Sequence, residues 1–216
     1  MLFCHIESEL ATLPKLREKK GLQGLPSMAF LDAAGEVLVK VDYARREVAG
    51  LRAAGARAMR YVELRKVVAL DRPELGAEFL HLQLEEGQLT HLQAQSRRAE
   101  VAASKDMPQL AKIDARIVDL EISELLRKQL AAGSPRADLG PRFLEVHRKG
   151  PHPSVFVSRG FWFAILEWAE AERDPVAFEA GLAGMRAALA VTNPDAEWAV
   201  KLLADYDAKL RQLRLD

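Results

Sequence analysis

The chain has 216 residues, of which 49% are hydrophobic, and its 31 basic and 31 acidic side chains give no net charge. This length and composition suffice for a buried core, and the balanced charge argues against a dedicated nucleic-acid binder. No apolar run approaches the roughly 20 residues of a membrane-spanning helix, and the first residues lack a signal peptide pattern. As written, the sequence predicts a cytoplasmic protein; a true start further upstream would leave the compartment undetermined.

The first 41 residues predict three strands and one short helix, in the order β, α, β, β. Leu2 to Ile6 is a short apolar strand, and Leu13 to Lys20 is a brief helix that Gly21 ends. The second strand runs from Ser27 to Asp32. After a turn that contains Gly35, Glu36 to Val41 alternates as its antiparallel partner. This part of the chain therefore predicts a small sheet.

From Arg46 onward the apolar residues follow a helical period, and no later segment resembles a strand. One long helix is predicted from about residue 45 to 70. Its apolar stripe contains Val48, Leu51, Gly55, Ala58, Val62 and Arg65 and is extended by Leu64 and Val68. Seven more helices are predicted over Pro73–Glu86, Leu89–Ser104, Pro108 to about Gly133, Pro141–His147, Val155–Arg173, Pro175–Ala190 and Pro194–Leu213.

Four prolines are spaced at a nearly constant interval in the helical part. Pro73, Pro108, Pro141 and Pro175 are 35, 33 and 34 residues apart, which is close to the period of about 34 residues in tetratricopeptide helix pairs. No single unit reproduces the residue pattern of that repeat. The alternatives are a tetratricopeptide-like array and an irregular stack of antiparallel helices, and both place helices against helices.

The stretch from Gly24 to Leu38, Gly-Leu-Pro-Ser-Met-Ala-Phe-Leu-Asp-Ala-Ala-Gly-Glu-Val-Leu, resembles the second half of a thioredoxin fold. In that family a short helix leads into Gly-x-Pro-[Ser/Thr], an apolar strand ending in Leu-Asp, a turn and a second strand. The whole chain is similar to bacterial thioredoxin-family proteins with a helical C-terminal extension. The resemblance implies an α+β fold: a partial thioredoxin-like βαββα domain over residues 1–70, followed by an all-α, antiparallel helical domain over residues 71–216.

The resemblance also implies a peptide-binding edge at Leu25, Pro26 and Ser27. In thioredoxin-like folds the corresponding proline is cis and shapes a backbone edge that receives extended peptide. A cis X-Pro bond costs only about 0.5 to 1 kcal/mol, so this geometry is accessible. The alternative is that Pro26 only begins a strand, where its missing N–H does no harm.

The sequence contains a single cysteine, Cys4, whereas a working thioredoxin carries Cys-x-x-Cys. Cys4 could be a reactive thiol with His5 beside it, but neighbouring strand residues point to opposite faces, which favours an apolar cysteine in an edge strand. An internal disulfide is excluded, and the redox compartment is therefore not defined.

The histidines do not predict a metal site, because none is paired with another at the i, i+4 spacing of helical zinc sites. His81, with Glu78 and Glu85 nearby, is either a ligand cluster or a solvated charge pattern. The basic run from His147 to His152 predicts an exposed loop or a contact for an acidic partner. No phosphate-binding glycine pattern or nucleophile motif occurs, so the sequence predicts no cofactor.

Aromatic residues are concentrated in the second half of the chain, at Phe156, Phe161, Trp162, Phe163, Trp168 and Phe178. They cover more than one face of a helix, which indicates burial between packed helices in preference to an exposed binding patch.

The sequence therefore predicts a non-catalytic, thioredoxin-like protein-interaction module. Two alternatives stay open: a thiol-disulfide oxidoreductase whose cysteine pair lies upstream of Met1 or on a partner, and a structural homo-oligomer formed through an exposed sheet edge. The expected partner is another protein or a second copy of the chain, with no role for nucleic acid or membrane.

Overall fold

The computed structural model describes residues 2–6, 27–41, 43–67, 73–150 and 153–215. The three strands are β1 (Leu2–Ile6), β2 (Ser27–Leu31) and β3 (Val37–Val41). The helices are α1 (Val48–Val67), α2 (Pro73–Glu85), α3 (His91–Glu100), α4 (Met107–Ala131), α5 (Gly140–Lys149), α6 (Val155–Ala171), α7 (Pro175–Thr192) and α8 (Glu197–Leu213). Short 3₁₀ turns cover Tyr43–Arg45 and Arg136–Leu139.

The prediction of a mostly helical α+β chain is confirmed, and each predicted element within the described residues is present. The helix predicted over Leu13 to Lys20 lies outside the described residues. None of the helices in the described part is long and apolar enough to cross a membrane.

The chain forms two compact units, one of Met1–Leu89 with Ser96–Leu110 and the other of Thr90–Gln95 with Ala111–Asp216. The sequence places a domain boundary near residue 70. In the structure the first unit extends further and includes α2.

The first unit contains an antiparallel sheet in the order β1-β2-β3. β1 pairs with β2 from Leu2 opposite Leu31 to Ile6 opposite Ser27, and β2 pairs with β3 with an irregularity between Phe30 and Leu31. The core of this unit is formed by residues of β3, α1 and α2, namely Leu38, Val39, Val41, Ala54, Ala58, Tyr61, Leu64, Phe79 and Leu82.

The buried face of α1 shares Ala58 and Leu64 with the predicted stripe but differs from it at Val48. Val48 is 64% exposed, whereas the buried residues are Gly50, Ala54, Ala58, Tyr61 and Leu64. Most of these side chains are small, so the helix axis can approach the sheet closely. A hydrophobicity pattern underrates glycine and alanine as core residues, which is why the predicted face was wrong at Val48.

The core of the second unit is built from α5, α6, α7 and α8 with part of α4. Phe143, Phe161 and Phe178 are fully buried, and the rings of Phe143 and Phe161 stack with centroids 4.9 Å apart. Trp162 is 5% exposed, so the prediction that the aromatic residues form a core is confirmed for these positions. The side chain of Phe156 lies outside the described part.

Glycines in this unit allow very close helix packing. A Cβ at Gly184 of α7 would lie 2.3 Å from the Trp162 ring, and one at Gly140 would lie 2.2 Å from Trp168 Cβ. The Trp162 and Trp168 side chains of α6 therefore occupy the space that a side chain at Gly184 or Gly140 would need.

The predicted basic loop begins later than expected. His147, Arg148 and Lys149 form the last turn of α5, where positive side chains interact favourably with the helix dipole. The His147 ring lies edge-on to Trp162, with centroids 5.0 Å apart. The prediction of a loop is therefore wrong at Arg148 and Lys149, which belong to the helix.

Candidate functional site at the sheet edges

The predicted peptide-binding residues are only partly described by the structure. Leu25 and Pro26 lie outside the described residues, so the cis geometry of Pro26 stays a prediction. Ser27 begins β2, and its backbone is paired with Ile6 of β1. The structure thus places Ser27 beside one end of β1.

Cys4 lies in the middle of β1, with its backbone opposite Ala29. Its side chain lies outside the described part of the chain, and its reactivity stays a prediction.

Among the strands that the structure describes, β1 and β3 are the two edges of the sheet, because β2 lies between them. Within the described residues, no strand pairs with the outer side of β1. An outer edge of this kind presents backbone N–H and C=O groups that can pair with another extended chain.

The outer edge of β3 is closed by two side chains from the connection between α2 and α3. The Lys40 backbone N–H donates to Glu86 Oε2 at 2.8 Å. The Gln88 side-chain amide donates to the carbonyl oxygens of Val37 and Leu38, at 3.1 Å each. We call Glu86 and Gln88 the strand cap, because they occupy backbone groups that an added strand would use.

The strand cap is positioned by the way α2 ends. The N–H of Gly87 donates to Leu84 O at 3.2 Å and the N–H of Gln88 donates to Gln83 O at 3.0 Å, which is the pattern of a Schellman motif. Gly87 has φ of 63°, a left-handed conformation that glycine adopts without steric cost. Gly87 therefore ends α2 and turns the chain so that the side chains on either side of it reach β3.

Both cap residues are also held from the side of α1. The Tyr61 hydroxyl donates to Gln88 Oε1 at 2.5 Å, and Arg57 Nε lies 3.5 Å from Glu86 Oε1. The Gln83 amide in turn donates to the Tyr61 hydroxyl at 3.4 Å and accepts from Arg97. Gln88 is thus fixed at both ends of its amide, which favours a single side-chain orientation.

Glu86 is a buried carboxylate, with 7% of its surface exposed. Burial raises the pKa of Glu86, while the Lys40 N–H and the nearby Arg57 guanidinium act in the opposite direction. Removal from water is the larger effect, so the charged form is disfavoured at this position.

A second acid fixes the turn between β2 and β3. Asp32 Oδ1 accepts from the N–H groups of Ala34 and Glu36, at 2.9 Å each, and Oδ2 accepts from Arg65 at 3.1 Å. Hydrogen bonds from Glu36 N–H and from the Arg65 side chain lower the pKa of Asp32. The charged carboxylate therefore stabilises the turn and links it to α1.

The sequence leaves open whether His81, Glu78 and Glu85 form a ligand cluster or a charge pattern, and the structure shows ion-pair distances among them and Arg60. His81 Nε2 lies 3.5 Å from Glu85 Oε1, whereas Glu78 pairs with Arg60 at 2.6 Å. In the residues that the structure covers, no group of three or more His, Cys, Asp or Glu side chains could hold a metal ion.

Glu86, Gln88 and Tyr61 are not among the residues that the sequence singles out. The local signal near them is Gly87, which predicts a helix end between two polar residues with long side chains. The partner of those side chains is a strand about 46 residues earlier in the chain. Local pattern alone does not indicate such a contact.

A comparison of the chain with protein-family models, curated proteins and solved structures finds no match. The resemblance to thioredoxin-like proteins therefore stays a prediction from the motif between Gly24 and Leu38.

Proposed function

We propose that the protein is a non-catalytic, thioredoxin-like protein-interaction module that binds an extended peptide along the outer edge of β1. The observation that carries this proposal is the position of β1 at an edge of the sheet, with no strand of the described residues on its outer side. Ile6 lies opposite Ser27, so the last residue of the predicted peptide-binding segment is paired with one end of β1.

Strand addition is the binding mode that suits this edge. A peptide that aligns with β1 forms main-chain hydrogen bonds with alternate residues, while its side chains supply selectivity. The proposed ligand is therefore an extended segment of another protein, recognised mainly through its backbone.

The chain as given has one thiol, Cys4, and cannot form an internal disulfide by itself. The proposed module accordingly acts through binding. The oxidoreductase alternative would require a cysteine pair upstream of Met1 or on a partner.

The experiment uses a library of extended peptides, with affinity measured by isothermal titration calorimetry for the best binder. Two N-methylated versions of that peptide are then compared, one methylated at odd positions and one at even positions. In strand addition only alternate amides of the peptide face β1, so one version loses binding by at least tenfold and the other retains it.

Equal affinity of the two methylated peptides, or no binder in the library, would contradict the proposal. Insulin reduction with dithiothreitol is the parallel assay. We expect no acceleration by this chain, and clear acceleration would support the oxidoreductase instead.

A further inference from the structure

We propose that the strand cap, Glu86 and Gln88, prevents β3 from pairing with β3 of a second copy of this chain. This inference does not rest on the proposed function, because it concerns the opposite edge of the sheet.

β3 has the composition of a strand that pairs readily. Its sequence is Val-Leu-Val-Lys-Val, with three β-branched residues, and only Lys40 carries a charge. Short apolar strands of this kind at a sheet edge promote association unless the edge is covered or charged. β3 therefore needs protection that its own side chains supply only at Lys40.

The strand cap supplies that protection at the backbone. Leu38 and Lys40 are two residues apart, so their backbone groups point to the same side of β3. The Leu38 carbonyl is occupied by the Gln88 amide at 3.1 Å and the Lys40 N–H by the Glu86 carboxylate at 2.8 Å. An incoming strand would have to displace both side chains to form its own ladder.

Displacement of the cap would break further contacts. Gln88 would lose the hydrogen bond from Tyr61, at 2.5 Å, and Glu86 would move away from Arg57. The cap is also attached to a helix end that is closed by two backbone hydrogen bonds at Gly87 and Gln88. These contacts hold the edge closed in the single chain.

A second copy is the partner that fits an opened β3 edge. Two identical strands pair antiparallel about a two-fold axis, so each copy offers the same carbonyl and N–H groups to the other. Removal of the cap is therefore expected to yield association of the chain with itself.

The experiment measures the molar mass by size-exclusion chromatography with light scattering, over a hundredfold range of protein concentration. The molar mass of the E86A/Q88A variant is expected to rise toward twice the wild-type value as the protein concentration increases. Amide hydrogen exchange at Leu38 and Lys40 should be at least tenfold slower in the associated species than in the same variant when diluted.

Two controls separate edge pairing from general destabilisation. E86Q keeps an oxygen that accepts from the Lys40 N–H and should retain the wild-type mass. E78A removes a carboxylate of the same unit that pairs with Arg60, at 2.6 Å, and leaves β3 closed. It should also retain the wild-type mass.

A folded E86A/Q88A variant with the wild-type mass at every concentration would overturn the proposal, as would equal association of E78A. Association without slower exchange at Leu38 and Lys40 would also overturn it. If the double variant does not fold, E86A and Q88A are each measured in the same way. At least one of them should associate, with slower exchange at Leu38 or Lys40, and the wild-type mass for both folded single variants would overturn the proposal.

Discussion

Glu86 illustrates how a single buried charge can serve a structural purpose at a cost in free energy. Its carboxylate accepts from a backbone N–H of β3 and faces Arg57, but burial has the largest effect on its pKa. A neutral acceptor at the same place would avoid the cost of removing a charge from water. We therefore attribute the role of Glu86 to the backbone N–H of Lys40 that it covers.

The pH dependence of folding follows from this raised pKa. The folded state holds the proton of Glu86 more tightly than the unfolded state, whose pKa is near 4.5. The contribution of Glu86 to stability is therefore fully present below pH 4.5 and is lost as the pH rises through the folded pKa. Urea unfolding of the wild type and E86Q should show E86Q gaining relative stability with pH above 4.5. A pH-independent difference would contradict this assignment.

Two helical glycines are expected to respond to alanine with opposite signs. At Gly184 a Cβ would lie 2.3 Å from the Trp162 ring, so G184A should destabilise the protein by about 1 to 3 kcal/mol through overpacking. At Gly55 the nearest atom to a Cβ is on Phe30, at an ordinary 3.4 Å. G55A should stabilise by about 0.5 to 1 kcal/mol through helix propensity. Chemical denaturation measures the change in the free energy of unfolding for each variant. Changes of the same sign in G184A and G55A would refute the packing argument.

The hairpin of β2 and β3 depends on Asp32. D32A removes the acceptor for the N–H groups of Ala34 and Glu36 and the contact with Arg65, whereas D32N keeps the Oδ1 acceptor. We expect the wild type to have the highest melting temperature, D32N an intermediate one and D32A the lowest. Because the pKa of Asp32 is lowered in the fold, its contribution is present above pH 3.8 and is lost as the pH falls through the folded value.

Melting curves of the three proteins at pH 7 and at pH 2.5 provide the measurement. The differences in melting temperature among the three proteins should be smaller at pH 2.5 than at pH 7. Identical melting temperatures of D32A and the wild type at pH 7 would show that the turn does not need this carboxylate.

At the level of elements, the sequence was a good guide. β1 has the predicted bounds, Leu2–Ile6, and α2 ends one residue before its predicted end. Proline or glycine marks several of the helix ends, such as Pro73 and Gly87 at the two ends of α2, and their effect is local, so no knowledge of the fold is needed. The buried face of α1 was harder to predict, because it includes the small residues Gly50 and Ala54, which a hydrophobicity pattern does not single out.

The contacts that define the candidate site are not local in sequence, unlike the signals that mark helix ends. Glu86 and Gln88 act on a strand far away in the sequence, and a polar residue after a helix is equally common on a solvent-exposed surface. The sequence could indicate that sheet edges exist, whereas the residues that close one of them depend on tertiary structure. Leu25 and Pro26 stay predictions because they lie outside the described residues.

At the scale of the whole molecule, the two units differ in what they present. The second is a helical unit with a large aromatic core, in which Phe143, Phe161 and Phe178 are fully buried. The first combines a small sheet with helices and contains both strand edges. The proposed interaction therefore belongs to the first unit, and its two edges are expected to behave differently.

The central claim is that an extended peptide binds along β1 and not along β3. Amide hydrogen exchange of both strands, with and without the best-binding peptide, tests this claim most directly. The proposed function predicts slower exchange at alternate residues of Leu2–Ile6 when the peptide is present, with exchange at Leu38 and Lys40 unchanged. Protection of β3 in place of β1, or no change in either strand at saturating peptide, would contradict it.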